Sequence, residues 1–258
     1  MNHFKKALWR LGQPFTKRPV DPLSVVSDLF IWRKSNEFQT YFELLCLPYF
    51  FQQDVISEKV KIIIFDKSGK QIYEGSIEVF KQNRKTLNIS SFIDSGSCEY
   101  GTFAVFHEFN PQVFLESNSF LSERGYSSYQ YMDGGIRSYV HGNFDAISLS
   151  SDGQKFLLGG RSFLKRSFYL QYVFEPNFMY ELIFVNPTIK TEKFEIIGFG
   201  PPDLPGYECV FTIAAGGSYK FDLPMRDYPL KILIRSNLIM ARPVIFKSNL
   251  KYFDVFHG

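Results

Sequence analysis

Cysteine and histidine are scarce in this chain of 258 residues, which has three of the first and four of the second. There is no Cys-x-x-Cys, no His-Glu-x-x-His and no carboxylate-rich calcium loop, so zinc-hydrolase and EF-hand chemistry lack their ligands. Neither a Gly-x-x-x-x-Gly-Lys-Ser/Thr phosphate cradle nor a Gly-x-Ser-x-Gly nucleophile elbow occurs. No metal and no cofactor is therefore expected. His107-Glu108 sits at a strand end, where neighbours point to opposite faces, and reads as an ordinary strand-end histidine. Cys46, Cys98 and Cys209 are odd in number and far apart, as in a reduced, cytoplasmic protein.

Charge of one sign and long apolar runs are also missing. The net charge of +3 comes from the first twenty residues, where Lys5, Lys6, Arg10, Lys17 and Arg18 meet no acid. The rest is close to neutral, which argues against a nucleic-acid partner, whose grip rests on many Lys and Arg contacts. No stretch approaches the eighteen or so apolar residues of a membrane span, and no secretory leader pattern is seen. In Phe4-Lys-Lys-Ala-Leu-Trp-Arg-Leu11, Phe4, Leu8 and Leu11 share one helical face, predicting a short N-terminal helix within a basic segment 1–20. That segment could touch an anionic membrane surface or a partner groove, or dock on its own body.

Aromatic residues are abundant instead, with 29 Phe and 15 Tyr. Aromatic and β-branched side chains suit a pleated, half-buried surface, and the short apolar segments bounded by turn residues predict an all-β protein. Asp66 to Gly69 and Ala215 to Ser218 mark hairpin turns; Gly200 to Gly206, with three prolines, marks a loop.

The segments recur in order. Tyr41 to Pro48, Val60 to Phe65, Ile77 to Phe80, Thr86 to Ile89 and Phe103 to Phe106 are echoed by Tyr180 to Pro187, Phe194 to Ile197, Phe211 to Ile213, Tyr219 to Leu223 and Leu230 to Ile234. Ser117-Asn118 leads to His141-Gly142, and Ser236-Asn237 leads to His257-Gly258. The fold expected is two tandem antiparallel β-sandwich domains of similar topology, spanning 21–145 and 166–258 and joined by a linker at 146–165.

Asn186-Pro187, Gly216-Gly217, Asp222-Leu223, Ser236-Asn237 and Pro243-Val244 carry a resemblance to the sensory rhodopsin transducer family. It covers about eighty residues of the second copy; the first keeps only Pro48 and Asn88-Ile89 and has Asn83-Arg84 at the turn. The resemblance implies a small β-sandwich, an oligomer, docking on a partner and no chemistry. Tandem fusion departs from the family's single-domain pattern, and no functional residue is carried over.

The stretch from Ser122 to Asp145 departs most from apolar filling. With Asp133-Gly134 as a hairpin turn, Gln130 faces Arg137, Ser128 faces Tyr139 and Tyr126 faces His141. Tyr126, Gln130, Arg137, Tyr139 and His141 then share one face; a turn at Gly134-Gly135 shifts the pairing by two and puts Arg137 opposite Met132. Aromatic planes, a fixed cation and several donors suit a saccharide, a small anionic ligand or a peptide. Glu123, Arg124 and Asp145 complete the candidate ligand-binding set. The same tyrosines would equally serve to fill a seam between the two sandwiches.

The function expected is a non-catalytic cytoplasmic binding or assembly protein, with a protein partner or a homo-oligomer, or a saccharide or small anion, held by residues 122–145. The alternative is an enzyme acting on a polar metabolite or saccharide, with Glu123, Asp133, His141 and Asp145 as acid and base groups. A third use, as a structural component of a larger particle, would also suit a neutral, aromatic-rich body.

Overall fold

The computed structural model describes residues 17–19, 21–51, 54–81, 83–94, 96, 98–108, 112–116, 119–132, 136–142, 146–204, 206–249 and 251–258. The expected N-terminal helix lies outside the described residues. Strands dominate. The first are β1 (Val25–Ser27), β2 (Phe30–Arg33), β3 (Phe38–Leu44), β4 (Ser57–Asp66) and β5 (Gln71–Phe80). Next come β6 (Lys85–Asn88), β7 (Tyr100–Phe106), the five-residue helix α1 (Gln112–Glu116), β8 (Ser122–Glu123), β9 (Tyr126–Tyr131) and β10 (Arg137–His141). The chain continues with β11 (Ile147–Leu149), β12 (Lys155–Leu157), β13 (Arg161–Phe174), β14 (Met179–Val185) and β15 (Glu192–Phe199). It closes with β16 (Tyr207–Ile213), β17 (Ser218–Leu223), β18 (Leu230–Leu238), β19 (Val244–Ser248) and β20 (Phe253–His257). Among the described residues no helix is long and apolar enough to cross a membrane.

These strands form five four-stranded sheets: I (β12-β11-β1-β8), II (β10-β9-β3-β6), III (β2-β7-β4-β5), IV (β13-β18-β15-β16) and V (β17-β14-β19-β20). The arrangement is a five-bladed β-propeller, which corrects the expected pair of tandem β-sandwiches. Two observations overturn that expectation. Sheet I draws β1 and β8 from the expected first unit and β11 and β12 from the expected linker. One core also joins Ile31, Phe38, Tyr129 and Val140 to Ile183, Val244, Phe246 and Val255, residues from both expected units. Apolar patterning shows that a strand is buried, but not which sheet buries it.

In β3, β4 and β14 sequence pattern and burial agree. β4 carries the unbroken run Ile62-Ile63-Ile64-Phe65 because both of its faces are covered. Val60, Ile62 and Ile64 pack with Phe42, Leu44 and Leu87 of sheet II, whereas Ile63 and Phe65 pack with Val25, Ile147 and Leu149 of sheet I. β14 behaves likewise: Leu182 and Phe184 join Phe194 and Phe211 of sheet IV, and Ile183 joins the core shared with sheet II. β3 alternates instead, with Phe38, Thr40, Phe42 and Leu44 buried and the residues between them more exposed. Sheet II therefore has one buried face and one face in water.

The strand orders of sheets II and III recur in sheets V and IV. β10-β9-β3-β6 corresponds to β20-β19-β14-β17, and β2-β7-β4-β5 to β13-β18-β15-β16.

Two polar devices tie sheet III to sheet V. The guanidinium of Arg33, on β2, meets both carboxylate oxygens of Glu181, on β14, at 3.0 Å each. The expected Asp66–Gly69 and Ala215–Ser218 turns dock on each other, with Ser218 N donating to Lys67 O at 2.9 Å. Gly69 takes φ +84° and Gly216 φ +68°, and a Cβ on Gly69 would lie 2.9 Å from Ala215 O.

A candidate binding face on sheet II

β9 and β10 pair in the register expected from the Asp133-Gly134 turn: Gln130 with Arg137, Ser128 with Tyr139, Tyr126 with His141. Residues 133–135 themselves lie outside the described residues. Because side chains alternate along a strand, Tyr126, Gln130, Arg137, Tyr139 and His141 share one face. That face is the one in water, and Tyr126 and Tyr139 are about half exposed. Five of the eight expected binding residues are thus brought together.

β3 extends the face. Its outward Gln39, Tyr41 and Glu43 pair with Gln130, Ser128 and Tyr126. The Arg137 guanidinium lies 3.6 Å from the centre of the Tyr41 ring, a stacked cation over an aromatic plane. The Tyr41 hydroxyl is 2.9 Å from Gln39 Oε1 and 3.2 Å from Gln130 Oε1. Glu43 accepts from Arg84 Nε at 2.7 Å and from Thr86 Oγ1 at 2.8 Å. Burial works against the Glu43 carboxylate, but Arg84 and Thr86 more than offset it and hold its pKa below the ordinary glutamate value. Sequence reasoning missed Gln39, Tyr41, Glu43 and Arg84 as site residues. The alternation of β3 marked which of its residues face outward, but nothing local announced β3 as the partner of β9.

The remaining expected residues lie elsewhere. Arg124 is exposed in the connection before β9, where its carbonyl accepts from Gly142 N at 3.2 Å. Asp145, like Asp133, lies outside the described residues. Glu123 is 3 % exposed and points away from the face, into the protein.

Glu123 belongs to a buried triad. His107, directly after β7, places Nδ1 2.9 Å from Glu58 Oε1 of β4 and Nε2 2.9 Å from Glu123 Oε2 of β8. Burial alone would depress the imidazole, yet the two carboxylates lift its pKa to about 9, so at neutral pH both ring nitrogens carry protons and donate. His107 is therefore not the ordinary strand-end histidine expected; its partners stand 49 and 16 positions away along the chain. Cys46 lies beside Glu58, and burial, with the charge of Glu58, pushes its thiol pKa up. The other oxygen of Glu123, Oε1, accepts from Gly125 N at 2.6 Å, one residue before β9. The triad thereby links sheet I to sheet III and anchors the strand that carries the exposed face.

Chemically the face can hold a ligand through aromatic planes, amides, one stacked cation and the Glu43–Arg84 pair. Of the expected acid and base groups, His141 lies on this face, Glu123 is committed to His107, and Asp133 and Asp145 lie outside the described residues. Among the described residues no group of three His, Cys, Asp or Glu side chains could hold a metal ion. No protein-family model matches the chain, and no curated protein matches it.

Proposed function

We propose that this chain is a non-catalytic binding protein that recognises a saccharide on the outward face of sheet II. The observation that supports this most directly is the Arg137–Tyr41 stack at 3.6 Å with the half-exposed rings of Tyr126 and Tyr139 on the same face. Aromatic planes match the apolar faces of sugar rings, and Gln39, Gln130 and Arg84 offer polar groups to hydroxyls around them. We extend the proposal to a reducing, cytoplasmic setting, on the ground that Cys46, Cys98 and Cys209 are all free thiols.

The test is a thermal-shift and calorimetric screen against neutral and uronic oligosaccharides, repeated with Tyr126→Ala and Tyr139→Ala. A sugar that raises the melting temperature of the parent and binds both variants at least about tenfold more weakly, a loss of roughly 1.4 kcal/mol, supports the proposal. It is overturned if no oligosaccharide binds, or if a protein partner occupies this face and sugars do not compete for it.

A further inference from the structure

β13 leaves its ladder near its start. Arg161 pairs with Leu238 and Arg166 with Ser236, so four intervening residues on β13 stand opposite only one on β18. The surplus forms a bulge that carries Phe163 and Leu164 outward, 103 % and 79 % exposed. The side chain of the single residue opposite pins this backbone: Asn237 Nδ2 donates to Ser162 O at 3.1 Å and to Phe163 O at 3.4 Å. Two adjacent large apolar side chains are thus held in water on a braced projection, where scattered single exposures would need no explanation.

The charges around this knob are layered. Arg161 pairs with Glu192, and Lys165 pairs with Glu195 at 2.6 Å. In each pair the carboxylate is the deeper partner: Glu192 and Glu195 side chains are 2 % and 14 % exposed, whereas Arg161 and Lys165 are 38 % and 43 % exposed. Lys193, also exposed, shares Glu195 at 3.6 Å, and Arg166 adds a further exposed cation. The surface around Phe163 and Leu164 therefore presents positive charge with its neutralising acids tucked beneath. An exposed apolar tip flanked along its strand by cations is complementary to an anionic lipid surface, where the tip enters the acyl boundary and the cations meet headgroup phosphates and carboxylates.

We infer that the β13 bulge is a membrane-docking knob, with Phe163 and Leu164 inserting into a bilayer surface rich in anionic lipid and Arg161, Lys165 and Arg166 contacting its headgroups. This site lies on sheet IV and is independent of the sugar-binding proposal for sheet II.

The experiment is co-sedimentation of the full chain with phosphatidylcholine vesicles made with and without phosphatidylserine, across a salt series. Binding is expected only to the phosphatidylserine vesicles and falls as salt rises. Phe163→Ser combined with Leu164→Ser weakens it about tenfold or more while leaving the unfolding midpoint unchanged. Lys165→Gln combined with Arg166→Gln weakens it and flattens its salt dependence. The inference is overturned if the parent chain stays in the supernatant with anionic vesicles, or if the Ser variant sediments as the parent does. It is equally overturned if the parent forms concentration-dependent oligomers that the Ser variant abolishes, which would assign the knob to a second copy of the chain.

Discussion

His257 donates its Nε2–H to the main-chain oxygen of His141 at 2.8 Å, and the two rings lie 5.1 Å apart. Each histidine closes one of the two recurring strand series, on β10 and on β20, and the two strands run side by side. Ser138 Oγ completes the seam by donating to Asp254 Oδ1 at 2.7 Å and accepting from Val255 N at 2.8 Å. Since Nε2 carries the donated proton, a neutral His257 keeps its lone pair on Nδ1, which is buried without a hydrogen-bond partner among the described residues.

This seam makes stability sensitive to acid. Burial above all, aided by the charge of Arg242, depresses the His257 pKa from 6.5 to about 4. In the unfolded chain the imidazole takes up its proton near 6.5, whereas in the fold it resists until about 4. The fold therefore loses stability as pH falls through that window, by at most about 3 kcal/mol, and nothing from this group above it. Urea midpoints between pH 7 and pH 4 measure the loss; His257→Gln should flatten its part of the slope. An unchanged slope in that variant would refute the assignment.

The buried triad responds to base. His107 has a folded pKa of about 9 against 6.5 unfolded, so its contribution is complete below about 6.5 and disappears as pH rises through 9. Chemical denaturation at pH 7 and pH 9.5 should show the parent weaker at the higher pH. His107→Ala, which strands two buried carboxylates, should cost about 3–5 kcal/mol at pH 7 and remove most of the difference.

Arg33 is 4 % exposed, and its link to Glu181 crosses from sheet III to sheet V. Burial opposes the Glu181 charge, but Arg33 and Lys220 prevail and lower its pKa. Truncating one partner, as in Arg33→Ala, should cost about 3 kcal/mol, because Glu181 is left with Lys220 alone, at 3.1 Å, in a partly buried setting. Arg33→Met with Glu181→Leu should recover most of it. Equal losses in the single and double variants would show that the pair is not coupled.

Gly101 has no room for a side chain. A Cβ there would lie 2.2 Å from Phe65 O and 2.7 Å from Trp32 Nε1, the two atoms joined by a 2.8 Å hydrogen bond. Gly101→Ala should lower stability by about 3 kcal/mol, with the near-ultraviolet circular dichroism of Trp32 changed. A variant as stable as the parent would show that β2 and β7 can separate freely at this point.

Tyr126→Ala and Tyr139→Ala remove exposed rings that close no core, so each should shift stability by no more than about 0.5 kcal/mol. A larger loss in thermal unfolding would mean that these tyrosines fill a seam and do not form a binding surface.

Much of this molecule is legible in local patterns. The Asp66–Gly69 and Ala215–Ser218 turns follow from residues that tolerate tight backbone, and Gly69 and Gly216 do take positive φ. The pairing of Tyr126 with His141 and of Gln130 with Arg137 follows from one two-residue turn signal, because a hairpin's register propagates from its turn. The unbroken run Ile62-Ile63-Ile64-Phe65 announces a strand covered on both faces.

What no local pattern carries is which sheets meet. Strands as short as Ser122–Glu123 and Ile147–Leu149 leave almost no periodicity, yet they build the sheet that crosses the expected boundary. Tyr41 and Arg137 stack although 96 positions separate them, and Glu123, a candidate for the binding set by its place in the chain, is held inside by His107. The sequence by itself determined the longer apolar strands such as β4 and β14, the two tight turns and the face on which each side chain of the β9–β10 hairpin lies, since these depend on backbone sterics and on a repeat of two residues. Tertiary structure alone decided the five-sheet arrangement, the buried Glu58–His107–Glu123 triad and the joining of β3 to β9, because long-range burial and charge pairing select among partners that local pattern leaves equivalent.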